Sequence, residues 1–269
     1  MGGGRRMLRE PFTEKFYTYH SKYIENVLAL RQPQRESLEI FARLCDILTF
    51  SKEPNLGAEL EAVHALFPTL SSFERDFPSF CFALATGIGK TRLMGACIAY
   101  LRYEKGIKNF FVMAPNLTIY DKLKADLGNT SNPKYVFKGL DLFAKPPRII
   151  DGDNYADFRQ GTFGVNDVVI NVFNISKLNA ESKGKNGEPA RIKRLNEVLG
   201  TSYFEYLQSL PDLCIFMDES HHYHADKSFD VINDLKPILG VELTATPQIQ
   251  KGAKAFTHTG WMDDFEENS

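Results

Sequence analysis

The chain has 269 residues, 43% of them hydrophobic, which is enough apolar material to bury the core of one large domain or two small ones. No run approaches the roughly 20 apolar residues that cross a bilayer, and no signal peptide begins the sequence, so we expect a cytoplasmic protein without a membrane segment. A net charge of −2 excludes a globally basic, nucleic-acid-coating protein. The four cysteines are far apart, which argues against disulfides and a cysteine zinc site.

The first 75 residues are predicted to be largely helical, because apolar positions recur at helical spacing after Pro33, a residue suited to a first turn. Short β-rich runs follow, most of them joined by stretches long enough for a helix. This alternation predicts an α/β domain with a parallel sheet. The runs are 80–85, 110–114, 168–173, 213–217 and 240–243.

Local positive charge is concentrated in residues 177–194, which hold six basic and two acidic side chains. Such a run is either a solvated loop or a nucleic-acid contact, and charge patterning does not decide between them. Residues 182–189 are polar and rich in turn formers, which predicts an exposed loop within the α/β domain.

A glycine-rich run, T-G-I-G-K-T at residues 86–91, follows the first β-rich run and precedes a helix expected over 92–103. This is the pattern and the context of a loop that cradles phosphates. Gly87 and Gly89 allow backbone torsions that turn successive N–H groups toward an anion, and the helix adds its positive end.

The end of this loop predicts ATP and Mg²⁺ as cofactors. Lys90 offers a positive charge to the β- and γ-phosphates, and the Thr91 hydroxyl can hold Mg²⁺. Leu84 stands where such loops often carry their first glycine. The expected cofactor-binding residues of the loop are Thr86, Gly87, Ile88, Gly89, Lys90, Thr91 and Arg92.

Two adjacent carboxylates end the apolar run at 213–217, at the edge where parallel sheets bind ligands. Asp218 would bind Mg²⁺, and Glu219 would orient and deprotonate the water that attacks the γ-phosphate. A later run ends in T-A-T-P, whose Thr244 and Thr246 can hydrogen-bond across to the loop after Asp218.

The D-E-S-H-H-Y-H run at residues 218–224 also allows interpretation as a metal cluster, since imidazoles and carboxylates bind zinc. Its H-H-x-H spacing matches no recognised ligand set, and no cysteine lies nearby. The alternative is a role for His221 as a link between the ATP site and the two threonines.

In chain order, T-G-I-G-K-T, D-E-S-H and T-A-T-P resemble motifs I, II and III of superfamily 2 helicases. The closer resemblance is to the restriction (Res) subunit of type III restriction endonucleases, in the DEAD/DEAH-like group. It covers roughly residues 28–250 and implies a RecA-like P-loop NTPase lobe with a central parallel sheet, after a helical N-terminal segment. It implies catalytic roles for Lys90, Asp218, Glu219 and His221, and motif coupling through Thr244, Ala245 and Thr246.

Three weaker stretches extend the resemblance. L-R-Q-P-Q at 30–34 resembles the adenine-reading element, in which Gln34 would bond the adenine edge, although a glutamine there is more simply a solvated residue. A-P-N-L-T resembles motif Ia, although Asn116 or Thr118 is also an ordinary helix cap. The stretch 169–174 resembles the next backbone-contacting motif. Nucleic-acid contacts are thereby implied for Pro115, Asn116, Leu117, Thr118 and Asn174.

The resulting domain assignment is a helical segment at 1–75, the ATP-binding lobe at 76–255 and a polar tail at 256–269, with no role for the spacer 49–79. The resemblance implies DNA as partner, a second RecA-like lobe that supplies an arginine finger, a nuclease domain and a methyltransferase or specificity subunit. We expect the second lobe and the nuclease to be missing from these residues, and the isolated chain to be largely inactive.

Two other functions stay open. A P-loop enzyme that transfers phosphate to a small molecule would use the same loop, but T-A-T-P gives it no support. A non-catalytic module that binds nucleotide for the sake of an interaction is the third possibility, and binding without turnover would favour it.

Overall fold

The computed structural model describes residues 18–152, 154, 167–174, 201–218, 232–245 and 256–257. Several features of the sequence analysis lie outside the described residues: the basic run 177–194 with its loop 182–189, Glu219, His221, Thr246 and the tail from 258 onward.

The predicted N-terminal helical segment is present. Three helices precede the sheet: α1 (Tyr19–Val27), α2 (Gln32–Ile47) and α3 (Leu56–Leu66). The side chain of Thr18 caps α1 by accepting the Ser21 N–H at 3.0 Å, and Asn55 caps α3 in the same way. Pro33 lies in the first turn of α2, as expected from its fixed φ.

The predicted parallel α/β sheet is confirmed. Its strands are β1 (Ser79–Ala83), β2 (Asn109–Ala114), β3 (Arg148–Asp151), β4 (Val169–Asn174), β5 (Leu213–Asp218), β6 (Leu239–Thr244) and β7 (Phe256–Thr257). They lie in the order β3-β4-β2-β5-β6-β1-β7, and all pairings are parallel. The five predicted runs match five of these strands, whereas β3 and β7 were not predicted.

Helices cover both faces of the sheet. They are α4 (Lys90–Lys105), α5 (Leu117–Gly128) and α6 (Thr201–Ser209). Side chains of β5 alternate between the faces: Cys214 and Phe216 join the cluster that contains α2, α4 and α5, while Ile215 and Met217 join the cluster that contains α6. Every residue of β4, β5 and β6 is consequently buried, the pattern of a parallel sheet. Among the described helices none is long and apolar enough to cross a membrane.

The spacer 49–79 has a structural role that the sequence did not predict. Lys52 Nζ donates to the carbonyl oxygens of Gln208 at 3.1 Å and Lys236 at 2.6 Å, which joins the end of α6 to the segment before β6. Burial lowers the pKa of this ammonium, and the Asp212 carboxylate opposes that shift.

A buried ion pair joins the same spacer to the sheet. Arg75 donates to Glu242 Oε1 of β6 through Nε at 3.0 Å and Nη2 at 2.7 Å. The two side chains are 1% and 8% exposed. Arg75 Nη2 also lies 3.5 Å from the sulfur of Met217, the residue before the end of β5. One guanidinium therefore contacts both strands that lead to the predicted functional loops.

We predict that Arg75→Met destabilises the chain by about 3–5 kcal/mol, because it removes the cation that faces the buried Glu242 carboxylate. Urea unfolding followed by circular dichroism measures this change. The control is the double variant Arg75→Met/Glu242→Leu, in which the carboxylate is also gone and most of the loss should be recovered. A single variant within about 1 kcal/mol of the wild type would contradict the assignment.

Candidate nucleotide site

The carboxyl ends of three adjacent strands form the candidate site. Phe82 of β1 is level with Leu243 of β6, which in turn is level with Asp218 at the end of β5. Since neighbouring strands lie about 4.8 Å apart, the backbone of Asp218 lies about 10 Å from β1. This is the edge at which open parallel sheets bind ligands.

The loop between β1 and α4 has the geometry of a phosphate cradle. Gly87 and Gly89 adopt φ values of +84° and +97°, which other residues adopt only with strain. Gly89 is the N-cap of α4, so that helix begins at Lys90 and directs its N-terminal N–H groups at the loop. The loop is largely exposed, and an anion can reach it from solvent.

Leu84, at the position of the expected first glycine, is 1% exposed and packs in the main hydrophobic cluster. Its N–H donates to the Thr244 carbonyl oxygen of β6 at 2.8 Å. A side chain is tolerated here because the backbone still continues the β1–β6 pairing before the turn begins. The same bond attaches the T-A-T-P strand directly to the start of the phosphate loop.

Gln34 is 2% exposed and contacts the phosphate loop, 54 residues away in sequence. Its Nε2 donates to the carbonyl oxygens of Ile88 and Gly89, both at 3.0 Å. Its Oε1 accepts the Arg31 N–H at 2.8 Å, an interaction that caps α2. Both amide donors are thus used within the chain, and adenine reading by Gln34, which stays a prediction, requires one of these bonds to be exchanged.

The predicted cofactor ligand Arg92 also makes a contact within the chain. Its Nη1 donates to the Leu28 carbonyl oxygen at 2.7 Å, just after α1. Arg92 and Gln34 therefore attach the α1–α2 connection to the phosphate loop from two sides. A role for Arg92 in binding the nucleotide itself stays a prediction.

Thr91 and Asp218 have the donor chemistry that Mg²⁺ prefers, a hydroxyl and a carboxylate oxygen. They are 8% and 5% exposed. Asp218 follows Cys214 and Phe216 at alternate positions, so it lies on the face of the sheet that carries α4 and Thr91. The residues present fit the ion.

A lysine that the sequence analysis missed also belongs to this site. Lys122 of α5 donates from Nζ to Thr91 Oγ1 at 2.8 Å. Nothing in the local sequence pattern indicates this contact, because α5 follows a different strand. The contact arises because α5 packs beside α4 in the folded chain.

The residues predicted to contact nucleic acid lie at the same edge. Asn116, Leu117 and Thr118 are exposed, and Asn116 caps α5 by accepting the Ile119 N–H at 2.9 Å, one of the two caps considered. Pro115 is buried. Asn174, which is paired in register with Ala114, is 6% exposed and therefore offers a large partner less surface than residues 116–118 do.

A glycine turn that opens a helix beside a strand-end carboxylate defines a P-loop nucleotide-binding lobe. The family described as type III restriction enzyme, res subunit, matches residues 19–249, and the chain belongs to this family. The match confirms the predicted relation to Res subunits and to the first lobe of superfamily 2 helicases, so this is a helicase-type ATPase domain by family. No curated protein matches the chain.

Two solved structures are similar in part. One is the SWI2/SNF2 ATPase core of Sulfolobus solfataricus in complex with double-stranded DNA, with 18% identity, a TM-score of 0.36, and coverage of 62% of this chain and 28% of that one. The other is a nuclease-deletion mutant of the type ISP restriction-modification enzyme LlaGI with a DNA substrate mimic, with 16% identity, a TM-score of 0.37, and coverage of 76% and 18%. The chain thus spans less than a third of either.

We predict that Gly89→Ala disrupts the phosphate loop, and so lowers its affinity for ATP, more than Gly87→Ala does. A Cβ at residue 89 would lie 2.6 Å from Gln34 Nε2, whereas one at residue 87 meets nothing within 4 Å. Both changes impose the left-handed strain of about 1–2 kcal/mol, but only Gly89→Ala must also displace the Gln34 amide from the loop carbonyls. Calorimetric titration with ATP measures the difference.

The matched test adds Gln34→Ala to Gly89→Ala. This removes the colliding amide, so the second change should cost less affinity in the Gly89→Ala background than in the wild type. Additive losses would contradict a direct contact between residues 34 and 89.

Proposed function

We propose that this chain is the ATP-binding and ATP-hydrolysing lobe of a DNA helicase or translocase of the type III restriction kind. The observation that carries the proposal is the phosphate loop at 86–91 on the same sheet edge as the Asp218 carboxylate, in a chain that belongs to the Res family. The loop supplies anion binding, and the carboxylate supplies the metal ligand that phosphoryl transfer requires.

Each residue of the site has a separate role in this proposal. Lys90, at the first turn of α4, binds the β- and γ-phosphates. Thr91 and Asp218 would hold Mg²⁺, which when bound neutralises charge on the transferring phosphoryl group. Glu219 orients the attacking water and accepts its proton. His221 links the nucleotide site to the coupling residues Thr244, Ala245 and Thr246.

DNA binding and the larger assembly are further parts of the proposal. The exposed turn at Asn116, Leu117 and Thr118 is suited to contact a phosphate backbone, since exposed side chains and a helix N-terminus meet there. A second lobe would supply an arginine finger, worth about 10³–10⁵ in rate, and without it this chain would turn over slowly. A nuclease domain and a methyltransferase subunit would complete a cytoplasmic restriction enzyme.

We predict that Lys90→Ala weakens ATP binding at least about tenfold without unfolding the chain, since hydrogen bonds to charged groups contribute about 1.5–3 kcal/mol. Calorimetric titration of Mg²⁺-ATP measures the affinity. The control is Lys105→Ala at the far end of α4, where the lysine pairs with Asp46 at 3.5 Å. Wild-type affinity in Lys90→Ala would reject the phosphate-loop assignment.

We predict that Glu219→Gln keeps ATP bound but lowers hydrolysis by about 10²-fold or more, because an amide preserves shape but cannot accept the proton of the attacking water. Phosphate release by the full-length protein, assayed with and without DNA, measures turnover. Glu205→Gln, at an exposed position of α6, is the control and should behave as wild type. Undiminished hydrolysis in Glu219→Gln would mean that another group is the base.

A further inference from the structure

The positively charged side chain of Lys122 lies against Thr91, the candidate Mg²⁺ ligand. It lies in the second turn of α5, and its Nζ contacts Thr91 Oγ1 at 2.8 Å from the neighbouring helix. Thr91 is 8% exposed, so few water molecules can replace this contact. The lysine is thus bound to the hydroxyl that a P-loop site needs for its magnesium ion.

An ammonium group and Mg²⁺ both bind a hydroxyl through a lone pair of its oxygen. An ammonium only donates, so Lys122 uses a lone pair of Thr91 Oγ1. Mg²⁺ binds oxygen through a lone pair as well, at about 2.0–2.1 Å. The hydroxyl oxygen has two lone pairs, but two cations at one oxygen repel each other, so binding of the metal favours departure of Lys122.

The helix provides another partner for the displaced lysine. Asp126, one turn further along α5, places its Oδ2 at 3.6 Å from Lys122 Nζ. The other oxygen of this buried carboxylate already accepts from Asn132 Nδ2 at 2.8 Å. The Lys122 side chain is 47% exposed and therefore has room to rotate toward Asp126.

We propose that Lys122 competes with Mg²⁺ for the Thr91 hydroxyl, and that when the metal–nucleotide complex binds it leaves Thr91 and keeps Asp126, with which it already forms an ion pair. The contact of Lys122 with Thr91 thereby helps to set the free Mg²⁺ concentration that the site requires. This inference rests on the proposed nucleotide site, and it adds a positioning residue that acts through Thr91.

The test is a calorimetric titration of the chain with ATP over a series of free Mg²⁺ concentrations. Lys122→Met should lower the half-saturating Mg²⁺ concentration by about two- to fivefold, the size expected of a partly exposed charge interaction. In EDTA the same variant should bind ATP no more tightly than the wild type, because no metal then competes. Lys122→Arg retains the charge and should keep the wild-type Mg²⁺ dependence.

The matched control is Lys124→Met, two residues along α5, since Lys124 pairs with Asp151 at 2.6 Å. Thermal melting of each variant checks folding, and Lys122→Gln replaces Lys122→Met if the latter does not fold. An unshifted Mg²⁺ dependence, or weaker ATP binding at every Mg²⁺ concentration, overturns the inference; the second result would make Lys122 a phosphate ligand. If the wild type binds no ATP at any Mg²⁺ concentration, the proposed function itself fails, and the inference fails with it.

Discussion

Burial of both faces of the parallel sheet is the constraint from which the rest of the structure follows. Strands β4, β5 and β6 have no exposed residue, so most of their side chains serve packing. Polar chemistry is left to the strand ends, where the chain turns toward solvent. Asp218, the loop after Leu84 and the turn at Asn116 all occupy the carboxyl edge for this reason. The position of the site is thus a consequence of how the core is packed.

The sequence predicted the elements whose signal is local. Five apolar runs predicted five strands, and the glycine loop predicted the start of α4 within two residues. It did not predict β3 (Arg148–Asp151), because four residues that begin with an exposed arginine after two prolines carry little strand signal. The structural role of the spacer 49–79 could not be predicted for a different reason. Its main features, Lys52 and Arg75, act through partners more than 140 residues away.

The candidate site shows the same limit. The loop residues 86–91 could be found from type and spacing, because the backbone torsions and the helix start are local requirements. The contacts of Gln34, Arg92 and Lys122 could not, since each joins elements that only the folded topology brings together. Gln34 was found by resemblance as an adenine reader, yet its amide donors hold the loop carbonyls. The resemblance therefore indicated this glutamine without revealing its contacts within the chain, and its role in reading adenine stays a prediction.

The phosphate loop is held from three directions, and this has a consequence for how the lobe responds to its ligands. Gln34 binds the loop carbonyls, Thr244 binds the backbone at Leu84, and Lys122 binds Thr91. Each restraint belongs to a different element: the start of α2, strand β6 and helix α5. A nucleotide that moves the loop must act on these contacts, because they are hydrogen bonds that restrain the loop. In the proposed function, the elements assigned to adenine, to hydrolysis and to DNA would therefore all act on one short turn, and their coupling would need no long pathway through the lobe.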